Sequence, residues 1–198
     1  LLTASPSMIH PQEVIKDIKN EPLPLPVMEK AISEMTDPAL AQKARDFIYY
    51  SAGIWPDTEA IKDRFNQMKI LRENIAKGSR IVAIGEGGID HHWNPSGVDE
   101  RSEDTFTDEI FKGERELFEM QLELAKEMDL PFIVHSRDGF EDTLECIKNV
   151  GWNKGIIHCY SYGVKEAEAF LNLGWYISFS GSVTYTKKAK MEEMHTLL

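Results

Sequence analysis

The 198-residue chain has few cysteines and no pattern that would pair them. Its two thiols, Cys146 and Cys159, do not follow the spacing of paired zinc ligands, and two thiols in a chain of this length do not indicate a disulfide framework. This argues against a disulfide-rich secreted domain. We interpret both residues as small buried side chains of a protein in a reducing compartment.

Long apolar runs are also missing. No run approaches the roughly 18 residues that a membrane-spanning helix requires. The first residues, LLTASPSMIHPQEV, contain neither the basic nor the long apolar region of a signal peptide. We therefore expect a cytoplasmic protein that has no membrane partner.

Positive charge is scarce, since 22 Lys and Arg residues stand against 33 Asp and Glu residues, for a net charge of −11. Binding long nucleic acid over a broad basic surface depends on many phosphate neutralisations, so this composition argues against that mode of binding. It does not exclude a phosphate-bearing substrate, because a bound divalent cation reverses the field inside a pocket.

What the chain does contain, from residue 47 onward, is an alternation of strand-like and helical segments. Helical periodicity predicts helices over 114–129, 141–150 and 164–174, the last of them ended by Gly174. The strand-like runs are continuously apolar, which is typical of a parallel sheet covered by helices. These runs are FIYYSAGI (47–54), IVAIG (81–85), PFIVH (131–135), GIIHCY (155–160) and WYISFSG (175–181).

The first 46 residues follow a different pattern. Three prolines between positions 22 and 26 predict an extended connector, and HPQEVIKDIKN (10–20) predicts a short helix. With 42% hydrophobic residues the chain can bury one sizeable core. We expect one domain over 1–198, made of an atypical N-terminal part (1–46) and a regular part (47–198).

Three predicted strands end in a residue that can bind a metal: Glu86 follows IVAIG, His135 ends PFIVH and His158 follows GII. The carboxyl ends of parallel strands share one rim, so we expect these side chains to converge. A lone histidine at a strand end is usually a hydrogen-bonded core residue. A carboxylate and two imidazoles at equivalent positions favour a divalent-metal site, because a buried charge otherwise lacks compensation.

Further polar candidates lie beyond these strand ends. Arg137 either holds a phosphate or carboxylate of a substrate or forms a salt bridge within its loop. Of His91 and His92, we expect one to face the pocket and the other to be exposed to solvent. We take His92 as the candidate substrate contact.

Three segments, in order, resemble the TatD family of metal-dependent hydrolases. VAIGEGGIDHHW, PFIVHSRDGFEDTLECI and GIIHCYSYGVKEAEAFLNLGWYISFSG are similar to the family's GEIGLDY, LPxxxHSRDA and GVLHCFSG…GFYISFSG. The likeness extends over about residues 50–193. It implies an α/β fold, the (β/α)8 TIM barrel of the amidohydrolase type. It also implies a site for one or two divalent ions at the C-terminal rim and hydrolysis of phosphodiester bonds in DNA.

The resemblance also implies roles for individual residues. Glu86 is implied as the catalytic carboxylate and as a metal ligand that bridges when two ions are bound, and His135 and His158 are implied as further ligands. In such enzymes the metal polarises the phosphoryl oxygen and activates a water for in-line attack. Mg²⁺, Mn²⁺ and Zn²⁺ all remain open as the ion.

The chain departs from the family in several places. An HxH pair and the aspartate of an ETDAP motif, which supply further ligands in the family, do not occur in it, and it has five predicted strands where the barrel needs eight. We therefore expect an incomplete barrel, whose first and last strands lie outside these residues. Trp55 replaces the histidine of the family's GxHP and either stacks on a base of the substrate or packs the barrel rim. Tyr162 replaces a glycine.

These observations lead to one main hypothesis and two alternatives. The main hypothesis is a metal-dependent hydrolase, a deoxyribonuclease that acts on DNA or an oligonucleotide. In the first alternative the same site cleaves an ester, lactone or amide. Cleavage of those bonds, unlike that of a phosphodiester, would not depend on a cation such as Arg137. In the second, suggested by Trp55 and the absent ligands, a non-catalytic barrel binds a partner or a nucleotide. The oligomeric state stays open.

Overall fold

A computed structural model describes residues 30–47, 49–77, 80–92, 106–185, 192 and 196. The proline connector (22–26) and the short helix (10–20) that the sequence predicts lie outside these residues. Within the described residues, strands and helices alternate along the chain as predicted.

The sheet has five parallel strands in the described part of the chain, and their spatial order is their sequence order. Successive βα units of a barrel produce this arrangement. The predicted parallel sheet and its number of strands are therefore confirmed. The strands are β1 (Tyr50–Ala52), β2 (Ile81–Asp90), β3 (Phe132–Arg137), β4 (Gly155–Ile157) and β5 (Tyr176–Ile177).

Helices connect and cover these strands. They are α1 (Pro38–Phe47), α2 (Thr58–Lys62), α3 (Arg64–Lys77), α4 (Asp108–Glu127), α5 (Phe140–Val150), α6 (Val164–Asn172) and α7 (Ser182–Tyr185). The three predicted helices correspond to α4, α5 and α6. Helix α4 begins earlier than predicted because Thr107 caps it, with Oγ1 accepting from Ile110 N at 3.3 Å. Gly174, at a φ of 92°, follows α6 where the sequence predicts the helix to end.

The core lies between the sheet and its covering helices. Phe118 of α4 is fully buried, and its ring meets Phe132 of β3 edge to face with 5.6 Å between centroids. Cys146 is buried as predicted, whereas Cys159, in the turn after β4, is only half-buried. No helix among the described residues combines the length and the apolar character needed to cross a bilayer.

Strand β2 is longer than the sequence predicts. The apolar run predicts a strand that ends at Gly85, but the strand continues for five further residues, so Glu86 lies inside it. A bulge interrupts the pairing with β3. Gly85 pairs with Ile133 and Gly87 pairs with Val134, which leaves Glu86 without a partner on the neighbouring strand.

The approach of β2 to β3 requires glycine beside the bulge. Gly88 pairs with His135, and a Cβ atom at Gly88 would lie 2.0 Å from the carbonyl oxygen of His135. The sequence predicts His135 at the end of its strand. It lies inside the strand instead, because β3 continues to Arg137. His158 directly follows β4, as predicted.

Candidate active site

Two of the three predicted metal ligands are in contact. His135 Nδ1 lies 3.0 Å from Glu86 Oε1. The side chains are 13% and 33% exposed, respectively, so solvent reaches the pair although protein surrounds most of it. The bulge in β2 takes Glu86 out of the regular alternation of the strand and leaves its carboxylate beside His135.

A buried carboxylate that is not among the predicted site residues lies behind this pair. Asp90, the last residue of β2, is fully buried. Its Oδ1 accepts from Arg137 Nε and from His92 N, both at 2.9 Å, and its Oδ2 accepts from Arg137 Nη2 at 2.7 Å. Oδ2 also lies 3.1 Å from His135 Nε2, which is an ionic contact.

These contacts shift the protonation of the buried pair. Burial acts to raise the pKa of Asp90, but the close contacts with His135 and Arg137 outweigh burial and hold the pKa well below its usual range. Burial acts to lower the pKa of His135, but the carboxylates of Asp90 and Glu86 outweigh burial and raise it. Asp90 therefore stays ionised, and His135 binds a proton more readily than a free histidine.

His158, the third predicted ligand, begins the turn after β4. Its backbone N–H donates to Val134 O at 2.8 Å. In its ring, Nε2 lies 3.1 Å from Cys159 Sγ and Nδ1 lies 3.5 Å from Ser178 Oγ. In the part of the chain that the structure describes, no group of three or more His, Cys, Asp or Glu side chains is arranged to hold a metal ion. Ligation by all three predicted residues stays a prediction.

The pair of Glu86 and His135 fits two positions of a divalent-metal site. A carboxylate oxygen and an imidazole nitrogen are donors that zinc and manganese accept. Their 3.0 Å separation is also that of neighbouring ligands of one ion at bond lengths of about 2.1 Å. A complete coordination shell would need further ligands besides this pair.

Arg137 is engaged by a carboxylate from the neighbouring strand. It lies opposite Asp90 in the register of β2 and β3, and two of its guanidinium nitrogens donate to that carboxylate. The salt bridge therefore joins two strands rather than closing within the loop after β3. The side chain remains 32% exposed.

The two histidines after β2 have different surroundings. His92 is the more exposed of the two, with 42% of its side chain accessible, and its Nδ1 lies 2.7 Å from Asp138 Oδ2. His91 is half-buried against α4, with Nε2 lying 3.0 Å from Glu114 Oε2 and its ring centroid 4.5 Å from that of Phe111. The histidine more open to solvent is thus His92, and its contact with a substrate stays a prediction.

Trp55 lies directly beside His135. The two ring centroids are 4.1 Å apart at an interplanar angle of 54°, and Trp55 is 39% exposed. The preceding residue, Ile54, is held by the buried amide of Gln121, which accepts from Ile54 N at 2.7 Å and donates to Ile54 O at 3.1 Å. The indole therefore packs against the candidate site while part of it stays open to solvent.

Tyr162 supports the loop that follows β3. Its hydroxyl lies 2.7 Å from Ser136 Oγ and accepts from Gly139 N at 3.2 Å. Ser136 Oγ in turn lies 2.7 Å from Thr143 Oγ1 of α5. Burial raises the pKa of Tyr162, so the phenol stays neutral and keeps its proton for a hydrogen bond. Tyr162 thus ties the turn after β4 to the residues that flank His135.

Comparisons with known proteins agree with this architecture. The family model described as TatD related DNase matches residues 27–197. The metal-dependent hydrolase YabD of Bacillus subtilis, whose name marks it as uncharacterized, is 33% identical over 151 residues, which are 75% of this chain and 53% of YabD. YcfH of Escherichia coli K12, named in the same way, is 29% identical over 75% of this chain and 51% of its own length.

A solved structure gives the same result at the level of the fold. YjjV, a TatD homologue of Escherichia coli K12, is 28% identical, with a TM-score of 0.63 over 81% of this chain and 57% of YjjV. The chain thus spans about half the length of the curated relatives that it matches. Its parallel sheet and covering helices form part of a TIM-barrel-like fold, and the chain belongs to the TatD family.

Proposed function

We propose that this chain belongs to a divalent-metal-dependent hydrolase that cleaves phosphodiester bonds of DNA, a TatD-type deoxyribonuclease. The observation that carries the proposal is the contact between Glu86 and His135 on neighbouring strands of a TatD-family sheet. The description of the matching family as DNases supports the choice of substrate. DNA or an oligonucleotide is accordingly the proposed partner.

In this proposal Glu86, His135 and His158 hold one or two ions, which are Mg²⁺, Mn²⁺ or Zn²⁺. When bound, such an ion supplies Lewis-acid polarisation of a phosphoryl oxygen and activation of the attacking water. Glu86 orients the water, because it is the more exposed member of the contacting pair. His135 is mostly shielded from solvent and serves as a fixed ligand.

Arg137 and Trp55 are the proposed contacts for the rest of the substrate, with His92 at the exposed rim. Arg137 is already paired with Asp90, so it presents less net positive charge to a phosphate than a free guanidinium would. The phosphate charge is then met chiefly at the metal site. Trp55 offers an open aromatic surface beside His135, on which an unpaired base can stack.

The substitution Glu86→Gln tests this function. It keeps the size of the side chain but removes the charge that binds a cation, so cleavage of a single-stranded oligonucleotide should fall at least roughly 100-fold, the effect of losing several kcal/mol of metal-dependent stabilisation. Glu123→Gln, at an exposed position on α4, is the matched control and should keep full activity. Oligonucleotide cleavage by Glu86→Gln at the wild-type rate would remove Glu86 from the mechanism.

Chelation followed by re-addition of single ions tests the metal requirement and identifies the ion. Activity on the oligonucleotide should disappear with chelator and return with one of Mg²⁺, Mn²⁺ or Zn²⁺. A parallel assay with nitrophenyl esters and lactones tests the alternative chemistry. Metal-dependent cleavage of those substrates without cleavage of the oligonucleotide would replace the nuclease proposal with an esterase or lactonase.

A further inference from the structure

The imidazole ring of His135 is flanked by a carboxylate at each nitrogen. Nδ1 lies 3.0 Å from Glu86 Oε1, and Nε2 lies 3.1 Å from Asp90 Oδ2. The two carboxylates differ in solvent exposure, because Glu86 is partly exposed and Asp90 is fully buried. A ring placed in this way presents one nitrogen to the open side of the site and the other to the interior.

Asp90 is held more firmly than a carboxylate in a single ion pair. Arg137 donates two hydrogen bonds to it, and the backbone N–H of His92 donates a third. Its own backbone N–H donates to Glu114 Oε1 at 2.8 Å. Rotating the carboxylate away from His135 would break bonds inside a buried region, where an unsatisfied charged group costs several kcal/mol.

We propose that Asp90 is a positioning residue for His135. The Asp90 carboxylate holds the Nε2 edge of the ring so that Nδ1 faces Glu86, and Arg137 keeps that carboxylate in place through its hydrogen bonds. The orientation of the ring depends only on the residues described above. Its consequence for a metal ion rests on the proposed function: Nδ1 is the nitrogen available for ligation, and Nε2 faces the charge of Asp90 at 3.1 Å. Carboxylates that orient ligating histidines in this way alter metal affinity by about 10- to 100-fold.

Ring nitrogen spectra of ¹⁵N-histidine-labelled, metal-free protein test the orientation directly. Asp90→Asn should move the His135 ring signals and shift its proton between the two nitrogens, and loss of signals in His135→Gln assigns them. Asp138→Asn is the matched control, since it removes a neighbouring carboxylate that is 63% exposed and contacts His92 rather than His135. Identical His135 signals in Asp90→Asn and wild type would overturn the proposal, because a purely structural salt bridge leaves the ring proton unaffected.

Zn²⁺ affinity, measured by competition with a chromophoric chelator, tests the consequence for metal binding. Asp90→Asn should weaken the Kd by roughly 10- to 100-fold, and Asp138→Asn should stay within about twofold of wild type. Equal affinities of the two variants would overturn the positioning role. If wild-type protein binds none of Zn²⁺, Mn²⁺ and Mg²⁺ while Asp90→Asn still moves the ring signals, the orientation is supported and the proposed metal-dependent function fails.

Asp90→Asn removes the buried charge that pairs with Arg137, so folding is checked by thermal unfolding. Should that variant not unfold cooperatively, Arg137→Gln tests the same arrangement, because it keeps Asp90 but removes the two hydrogen bonds that fix its carboxylate. The His135 ring signals should then split or broaden. A single sharp set of signals at the wild-type positions would overturn the proposal.

Discussion

At the scale of single residues, the candidate site depends on buried polar groups that compensate one another. Asp90 and Glu114 both have almost no solvent exposure. One oxygen of Glu114 accepts a hydrogen bond from the backbone N–H of Asp90, and its other oxygen faces His91. A buried charge is tolerated only with such partners. Removing one partner therefore lowers the free energy of unfolding by more than the contact itself contributes to it, because the remaining charge stays buried.

Substitution of Trp55 separates base stacking from rim packing. Stacking of one base contributes roughly 1–3 kcal/mol, so Trp55→Ala should raise the KM for a single-stranded oligonucleotide by roughly 5- to 150-fold. It should leave kcat/KM for bis(4-nitrophenyl) phosphate, which carries no base, nearly unchanged. Tyr176→Ala, which removes a highly exposed aromatic side chain from β5, is the control. An unchanged KM for the oligonucleotide would assign Trp55 to packing alone.

The two cysteines should differ in reactivity. Burial raises the pKa of Cys146 far above that of an ordinary thiol. A higher pKa means less thiolate at any given pH, and the thiolate is the form that reacts. Iodoacetamide at pH 8 should therefore alkylate half-buried Cys159 and leave Cys146 unmodified until the protein unfolds, as read by peptide mass spectrometry. Equal rates at both thiols in the folded protein would contradict this.

At the scale of elements, β2 and α4 together place the site. The bulge in β2 releases Glu86 from pairing, and the glycines on either side of it allow neighbouring groups to approach closely. A Cβ atom at Gly87 would lie 2.8 Å from Gln121 Nε2, so glycine leaves room for the amide that holds Ile54. Helix α4 thereby fixes both β2 and the loop that carries Trp55.

Replacement of Gln121 tests this link between elements. Gln121→Leu removes both hydrogen bonds to the part-buried N–H and C=O of Ile54, so the free energy of unfolding should fall by about 1–3 kcal/mol in urea denaturation. Gln42→Leu, at an exposed position on α1, should change it by no more than about 0.5 kcal/mol. Equal stabilities of the two variants would show that the amide does not hold the loop.

At the scale of the whole molecule, the sheet has two edges among the described residues, because β1 pairs only with β2 and β5 only with β4. Tyr49 and Tyr176, beside these edges, are exposed. A closed barrel removes such edges, and completion of the TIM-barrel-like fold by further strands stays a prediction. One domain over 1–198, with a distinct part at 1–46, stays a prediction, and the matching family model begins within that part, at residue 27.

A cavity-forming substitution tests whether the described core acts as one unit. Phe118 packs between α4 and β3, so Phe118→Ala should lower the free energy of unfolding by about 3–5 kcal/mol while unfolding remains a single transition. Phe65→Ala, at an exposed position on α3, should cost about 0.5 kcal/mol or less. Two separate transitions in Phe118→Ala would show that the sheet and its helices unfold independently.

Much of the fold is predictable because it depends on neighbours in sequence. Apolar runs predicted all five described strands, helical periodicity predicted α4, α5 and α6, and Gly174 predicted where the last of these ends. The prediction that Glu86 and His135 end their strands was wrong. Their positions depend on how β2 pairs with β3, and the bulge in that pairing leaves no signature in hydrophobicity.

By itself, the sequence determined the order of strands and helices, the family, and a carboxylate and histidines on neighbouring strands, because local patterning and motif order encode these features. Only the tertiary structure decided that Asp90 is held by Arg137, 47 residues away, and that Gln121 holds Ile54 across 67 residues. Each contact consists of two hydrogen bonds between segments that are distant in sequence. Their partners are chosen by the register and packing of the folded chain, which no short stretch of sequence specifies.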